Sequence, residues 1–303
     1  MRCTYPRGHV HHKLGLEILS LLLSIVGASS RVRSLVVAQP HKLQPMRPQL
    51  HTIVRSSPGQ FKSTILDEIG RKFGISVSSN VTFPAMIGTV DQGKLVHGLV
   101  WTSRKKPMLL DEFRTGERGD SLAVDALLGT MESGHYKRKI GLQTPYYFEQ
   151  DSEDPSLFYK VENGEFEVQT RFSAIIATMK NWDKARGGKY AALTQRCIPI
   201  PYRLDDDTID AVLDGKVSPY TNFEFNPPEH GKVCQKDYKR IRELAAGVRD
   251  STSRFRAVYT RAIGDLCRVR AVIGRVDPEL FLLICYLKAG LPLGQALRSS
   301  KES

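Results

Sequence analysis

The sequence predicts an α/β fold, in which a mainly parallel sheet lies between helices and a small α-helical domain follows. Strand-like and helix-like segments alternate over the first two thirds of the chain, as in proteins with a parallel sheet. The apolar run from Phe172 to Thr178 has the length and continuity of a strand covered on both faces. From about Lys236 the pattern is helical to the end. We therefore expect an α/β core over residues 1–204, a polar linker over 205–235 and a helical domain over 236–303.

The elements of the core are predicted from periodicity and from turn residues. Gly74 is expected to end a helix, and Asn163-Gly164 is the dipeptide of a tight hairpin turn, flanked by alternating apolar residues. The predicted helices cover residues 14–26, 63–73 and 121–132, the predicted hairpin covers 159–168, and the other predicted strands cover 49–55, 106–113, 172–178 and 198–202.

Composition excludes some classes of protein and favours one kind of partner. Hydrophobic residues make up 41% of the chain, which excludes wholesale disorder. The formal net charge is +12, which favours a polyanion such as nucleic acid, the alternative being a surplus that only serves solubility. The five cysteines form no C-x-x-C pair, so we expect neither a disulfide framework nor a zinc site, and a reducing, intracellular setting.

The apolar segment 14–26 is too short to span a bilayer as a helix. It resembles a signal peptide, but Glu17 interrupts it, so a buried first helix is expected, with export as the alternative. No membrane partner is predicted.

A phosphate-binding loop is predicted between the strand at 49–55 and the helix at 63–73. Backbone N–H groups and the helix N-terminus would hold phosphate, Lys62 would add a cation, and Ser63 would offer a hydroxyl to Mg²⁺. Ser56 and Phe61 replace the two glycines of the usual pattern. An ordinary helix start is the alternative. The candidate nucleotide-binding residues of the loop are Ser57, Pro58, Gly59, Gln60, Phe61, Lys62, Ser63 and Thr64.

Two adjacent acids follow the apolar strand that contains Met108. In an open α/β sheet, ligands bind beyond the carboxyl ends of the strands. Asp111 is the candidate Mg²⁺ ligand, together with Ser63, and Glu112 is the candidate base that polarises the attacking water. The alternative is a pair of acids that merely ends a strand.

Several motifs, taken in order, resemble the AAA+ ATPases and most closely the motor domain of minichromosome maintenance (MCM) DNA helicases. The resemblance covers most of the chain, although the family's N-terminal DNA-binding domain has no counterpart in the sequence. The motifs are Gly8-His9 to Lys13, Pro58-Gly59 with Lys62-Ser63, Gly93 to Gly98, Leu110 to Phe113, Ala126 to Glu132, Ile175 to Asn181, Ala192 to Arg196 and Arg261 to Ala271.

The resemblance implies roles for three more residues. Asn181 takes the place of a polar sensor residue, Arg196 that of the arginine finger that reaches the γ-phosphate of a neighbouring subunit, and Arg261 that of a second sensor. Each residue also has an alternative interpretation that does not need the resemblance. Arg196 could be a solvated loop cation, Arg261 could belong to the polar face of an amphipathic helix, and Asn181 could cap a turn.

A basic run follows the predicted helix 121–132, where the family has a DNA-facing hairpin. Lys137, Arg138 and Lys139 stand beside an aromatic residue, a combination suited to a loop that follows phosphates. A solvated surface run is the alternative, and the nearby acidic stretch 149–153 would oppose DNA.

The resemblance as a whole implies an intracellular motor, in the cytoplasm or nucleus, that binds ATP and Mg²⁺. It would hydrolyse ATP between the subunits of a homo- or hetero-oligomeric ring, such as a hexamer, and act on DNA. The lost loop glycines keep a second reading open, in which a catalytically degenerate AAA+ protein serves as a nucleotide- or DNA-binding scaffold.

Overall fold

The computed structural model describes residues 11–79, 81–113, 120–139, 144–179 and 189–302. The helices are α1 (His11–Ser29), α2 (Lys62–Phe73), α3 (Phe83–Ile87), α4 (Leu99–Thr102), α5 (Asp120–Ser133), α6 (Lys189–Arg196), α7 (Asp206–Leu213), α8 (Gln235–Ser251), α9 (Ser253–Arg256), α10 (Tyr259–Ile273), α11 (Pro278–Lys288) and α12 (Leu293–Glu302). The strands are β1 (Ser34–Gln39), β2 (Lys42–Met46), β3 (His51–Arg55), β4 (Val77–Ser79), β5 (Gly88–Asp91), β6 (Lys94–His97), β7 (Pro107–Asp111), β8 (His135–Lys139), β9 (Tyr147–Gln150), β10 (Phe158–Glu162), β11 (Glu165–Gln169), β12 (Ser173–Thr178), β13 (Ile198–Pro201) and β14 (His230–Val233).

An all-parallel sheet lies at the centre of the described structure. Its five strands run in the order β13-β3-β12-β7-β4. Every residue of β12 is buried, because helices cover both faces of the sheet. The protein is therefore a mixed α/β structure with a parallel sheet flanked by helices, and the predicted strands at 49–55, 106–113, 172–178 and 198–202 are confirmed.

Alternate residues of the central strands point to opposite faces of the sheet. Val54 and Ile175 join a hydrophobic cluster with α1, α2 and the C-terminal helices. Ile53 and Ile176 join a second cluster with α3, α4 and α5. The first cluster joins the C-terminal helices to the sheet in one continuous core, although the sequence predicted them as a separate small domain.

A four-stranded antiparallel sheet, in the order β8-β11-β10-β9, is inserted between α5 and β12. Asn163 and Gly164 both have positive φ, of 50° and 74°, as a type I′ turn requires. The predicted hairpin is confirmed as β10–β11. One face of this sheet, which includes Tyr159 and Phe166, packs in the second hydrophobic cluster.

The segment 205–235 differs from the predicted linker. Asp205 caps α7 by accepting the backbone N–H of Thr208, and β14 pairs in parallel with β1. This pairing joins residues 196 positions apart, as in the hydrogen bond of Ser34 with His230. Local sequence carries no signal for such a partner, so the polar composition alone indicated a linker.

The first helix is buried, as predicted. Leu19 and Leu23 of α1 are fully shielded from solvent and pack in the first cluster. None of the helices described is both long and apolar enough to cross a bilayer.

Candidate functional site

The loop between β3 and α2 lies at the carboxyl edge of the parallel sheet. The strands β3 and β12 are neighbours in the sheet, and the chain leaves them in opposite directions: from β3 it continues to β4 at one edge of the sheet, and from β12 it continues to β13 at the other edge. Neighbouring strands with such opposite connections leave a crevice at their carboxyl ends, where ligands bind in open α/β folds. Ser57, Pro58 and Gly59 are exposed at this edge, as are Ser63 and Thr64 in the first turn of α2.

Phe61 occupies a backbone conformation that normally selects glycine. Its φ and ψ are 58° and 19°, in the left-handed region, and it immediately precedes α2. For a bulky residue this conformation is strained. The side chain is partly buried against the first hydrophobic cluster, so it packs inward and leaves the loop backbone facing outward. Packing thus explains how an aromatic residue occupies a glycine position.

Lys62 is buried, and its ammonium group is bound by its own loop. Nζ donates to the carbonyl oxygens of Ser56 and Ser57, both at 2.9 Å, and to the hydroxyl of Ser56 at 3.1 Å. These contacts use all three donors of an ammonium group. A phosphate can bind Lys62 only by replacing one or more of these loop oxygens.

Ser63 and Asp111 meet at the edge of the sheet. The Ser63 hydroxyl donates to Oδ2 of Asp111 at 2.6 Å, which brings the start of α2 against the end of β7. The other carboxylate oxygen of Asp111 accepts the backbone N–H of Glu112 at 2.9 Å. Glu112 has a φ of 48°, an unusual value for a non-glycine residue and one that recurs at functional sites.

Burial lowers the pKa of Lys62, and the charges of Asp111 and Glu112 partly oppose this effect. Both carboxylates are therefore close enough to act on the ammonium group. The structure brings together the lysine, the hydroxyl and the two acids predicted from separate segments of the sequence.

A cavity of about 290 Å³ lies beyond the end of β13, and two residues of its wall bond to the loop residue Gln60. Its wall includes Tyr202 and Leu204, which also hold Gln60: the Tyr202 hydroxyl donates to the Gln60 carbonyl, and the Leu204 N–H donates to Oε1 of Gln60 at 2.5 Å. Arg203 and two residues of α12, Arg298 and Lys301, add cations to the lining. Sequence reasoning missed these residues; only the i, i+3 spacing of Arg298 and Lys301 offered a signal that they share a helix face.

Thr178, which sequence reasoning also missed, stands at the last position of β12. It is buried and paired in register with Arg55 of β3, at the carboxyl edge of the sheet beside the loop. Asn181, the predicted sensor residue, lies outside the described residues.

Arg196 lies away from the Ser63–Asp111 pair. It ends α6, just before the amino end of β13, whereas the loop follows the carboxyl end of the parallel strand β3. Its guanidinium group donates to Glu132 of α5 and to the carbonyl of Ala192. The predicted finger is thus held against its own subunit.

Arg261 is exposed in the first turn of α10. Among the described residues, no contact joins it to Lys62, Ser63 or Asp111. The cations that the helical segment contributes to the cavity wall, together with Tyr202 and Leu204, are Arg298 and Lys301 instead.

The predicted DNA-binding run forms the edge strand β8. Nζ of Lys137 lies 2.7 Å from Glu165 and 3.6 Å from Glu167, so its charge is compensated within the sheet. Arg138 lies over the ring of Phe83 at 5.4 Å, and Lys139 is exposed.

A magnesium ion suits the oxygen donors at the Ser63–Asp111 pair. Mg²⁺ prefers one or two carboxylates completed by phosphate and water oxygens, and a hydroxyl with a carboxylate fits this donor set. Within the described ranges, no group of three or more His, Cys, Asp or Glu residues is arranged to hold a metal by itself. The four described cysteines are free thiols.

The chain matches no model of a known protein family, and a search of curated proteins finds no significant relative. A loop of exposed backbone, a buried lysine and a hydroxyl–carboxylate pair can together bind a phosphorylated ligand with its cation.

Proposed function

We propose that the chain binds ATP with Mg²⁺ at the Lys62–Asp111 site and hydrolyses it. The observation that carries the proposal is the 2.6 Å contact between the Ser63 hydroxyl and the Asp111 carboxylate, because it places two predicted magnesium ligands together. The charges of Asp111 and Glu112 also act on the pKa of Lys62, which gives further support.

Each residue has a defined task in this proposal. The exposed backbone of residues 57–59 and the N-terminus of α2 hold the phosphates, and Lys62 exchanges a loop oxygen for a phosphate oxygen. Ser63 and Asp111 hold the magnesium ion, which supplies charge neutralisation of the triphosphate when bound. Glu112 orients the attacking water and accepts its proton. The cavity beside Gln60 receives the nucleoside.

The finer proposal is an AAA+ motor similar to the MCM helicases, acting on DNA as an oligomeric ring inside the cell. In that assembly Arg196 acts on the nucleotide of a neighbouring subunit. It must first release Glu132, since the guanidinium group is only 19% exposed and paired. Subunit contact thus has to compete with an existing ion pair.

A nucleotide-binding scaffold without turnover is the second candidate. Two observations favour it: the ammonium group of Lys62 is saturated by its own loop, and Phe61 holds a strained conformation in place of glycine. Both features hinder Lys62 from neutralising the charge that develops on the phosphates during hydrolysis, whereas the exposed backbone of residues 57–59 stays open to a phosphate.

The test measures magnesium-dependent ATP hydrolysis and, separately, ATP binding by calorimetry, with and without single-stranded DNA. The variants are Lys62→Ala and Glu112→Gln, with Lys216→Ala as a control, because Lys216 is an exposed lysine paired with Asp214. We expect Lys62→Ala to lose ATP binding. Glu112→Gln should keep ATP binding but hydrolyse ATP about 10²-fold or more slowly. Lys216→Ala should bind and hydrolyse ATP like the wild type. Binding without hydrolysis in the wild type selects the scaffold, and equal hydrolysis in all variants refutes both candidates.

A further inference from the structure

The positive charge of the chain is concentrated in its helical segment. Residues 236–303 contain fourteen Lys and Arg against seven Asp and Glu, so they supply a surplus of seven of the net +12. Several of these cations form ion pairs within the chain, such as Arg268 with Asp265 and Arg270 with Asp237. The remaining cations determine what the surface can bind.

One flank of α8 has a stripe that contains three cations and no acid. Its apolar side, with Ile241, Ala245 and Val248, is buried, whereas positions 235, 239, 242, 246 and 249 follow the helical period along one flank. No acid occupies this stripe, and its three charged members are Lys239, Arg242 and Arg249. The positions from 239 to 249 extend over about 15 Å.

The stripe continues into the corner formed by α9 and the start of α10. Arg249 lies over the ring of Tyr259 at 4.9 Å, and Tyr259 contacts Phe255 edge-to-face. Phe255 is fully buried, whereas its neighbours Arg254 and Arg256 are exposed. We define the α8–α10 basic surface by six cations of these three consecutive helices, of which Arg249 is partly exposed and the others are exposed: Lys239, Arg242, Arg249, Arg254, Arg256 and Arg261.

These cations differ from Lys137 of β8 in their neighbours. Within the described part of the chain, Arg249 is paired with Asp250, and the other five have no carboxylate within ion-pair distance. Lys137 of β8 is bound by two carboxylates of the neighbouring strand. A polyanion gains more from cations that have no partner to give up.

We propose that the α8–α10 basic surface binds the phosphate backbone of nucleic acid. A membrane fits it less well, because the apolar side of α8 is buried and Phe255 is enclosed, and no large apolar side chain of the described helices α8, α9 and α10 is exposed. The stripe instead offers cations along a line, and phosphates succeed one another about every 3.4 Å along a strand of the duplex. This proposal specifies where the DNA binds, and it rests on the part of the proposed function that names DNA as a partner.

The test compares two triple variants that remove the same charge. One combines Arg242→Gln, Arg254→Gln and Arg256→Gln; the control combines Lys137→Gln, Arg138→Gln and Lys139→Gln. Binding of labelled oligothymidylate and of a labelled duplex is measured by fluorescence anisotropy, without ATP, between about 50 and 200 mM salt. Circular dichroism and basal ATP hydrolysis report on the fold and on the nucleotide site.

For six contacts to single-stranded DNA, the slope of log affinity against log salt should be about −4, and the surface variant should lower its magnitude by about 2. The control variant should keep a slope near that of the wild type. Absent binding by the wild type, or equal losses in the two variants, overturns the proposal, as does tighter binding to vesicles containing phosphatidylserine than to either DNA. Because binding is measured without nucleotide, absence of hydrolysis leaves this result unaffected.

Discussion

The Ser63 hydroxyl lies 2.6 Å from the carboxylate of Asp111, across a separation of 48 residues. The contact exists because β3 and β7 run parallel on either side of β12, so that the residues following each strand reach the same edge of the sheet. A helix start and a strand end are thus joined at the place where a phosphate-bound cation would require both.

Replacing Asp111 with Asn tests this arrangement. The amide keeps the shape of the side chain but removes the charge, so we expect the magnesium concentration for half-maximal ATP hydrolysis to rise about tenfold or more. The measurement is a magnesium titration of hydrolysis at fixed ATP. Asp214→Asn is the matched control, since Asp214 is an exposed acid paired with Lys216. An unchanged titration in Asp111→Asn would exclude Asp111 as a ligand of the cation.

Because the backbone of Phe61 is left-handed, glycine should be more stable than alanine at this position, the reverse of the usual order in a helix. Both Phe61→Ala and Phe61→Gly lose the same packing, but only alanine keeps the steric cost of the left-handed region. We expect Phe61→Gly to be more stable than Phe61→Ala by about 1 kcal/mol in urea unfolding.

The control pair for Phe61 lies in α2, the helix that follows it. At Glu68, an ordinary position of α2, alanine should be more stable than glycine by about 1 kcal/mol. The same order at both positions would mean that Phe61 is not left-handed in solution.

The sequence predicted the elements that depend on local signals. Gly74 ends α2 in the left-handed conformation, and the Asn163-Gly164 turn closes β10 and β11, because these residues favour the required backbone angles wherever they occur. The loop, Lys62, Ser63 and the two acids were also found, because their positions relative to strand and helix follow from periodicity.

The features that sequence could not predict depend on distant partners. The basic run of β8 gave no sign that Glu165 and Glu167 would stand opposite it, since the pairing of β8 with β11 joins strands about thirty residues apart. The cavity beside Gln60 was equally hidden, because its wall combines α1, the end of β13 and α12.

The hydroxyl of Tyr202 provides a test of the cavity wall. Burial raises the pKa of Tyr202 to about 12, so the hydroxyl stays protonated and donates to the carbonyl of Gln60. Tyr202→Phe leaves that carbonyl unpaired, at a cost of about 1–3 kcal/mol, and frees the loop. We expect weaker ATP binding by calorimetry in addition to lower stability.

Tyr220→Phe separates the two effects. Tyr220 is also buried, and its hydroxyl bonds to Ser24 at 2.8 Å, with no contact to the loop among the described residues. This variant should lose stability and keep its affinity for ATP. Equal affinities in the two variants would remove Tyr202 from the nucleotide site.

Asp151 predicts a loss of stability in acid. Burial alone would raise the pKa of Asp151, but hydrogen bonds from Lys105 and Arg104, both at 2.8 Å, lower it below its usual value. The carboxylate therefore stabilises the fold fully above the unfolded pKa of about 4, and this contribution is lost as the pH falls below it. Between pH 5 and about 3, thermal unfolding of the wild type should shift more than that of Asp151→Asn. The control Asp214→Asn should shift as much as the wild type. If the unfolding temperatures of the wild type, Asp151→Asn and Asp214→Asn fell equally with pH, groups other than Asp151 would be responsible for the acid sensitivity.

Lys288 joins the helical segment to the edge of the sheet, and its removal should be costly. Its side chain is 1% exposed; Nζ lies 2.9 Å from Asp265 and donates to the carbonyls of Gln195 and Cys197. Lys288→Met keeps most of the apolar stem but leaves these acceptors without the ammonium group. Asp265 retains Arg268, so we expect a loss of about 3 kcal/mol, near the low end for a broken buried pair.

Urea unfolding of Lys288→Met, beside the exposed control Lys216→Met, measures this cost. The control should change by less than about 0.5 kcal/mol, because surface ion pairs contribute little. The acceptors on Gln195 and Cys197 flank Arg196, so loss of Lys288 should also loosen the segment that presents this arginine. A subunit-dependent ATPase should then lose activity at temperatures where Lys288→Met is still folded. A loss of stability equal to that of Lys216→Met would show that the buried pair contributes no more than a surface one.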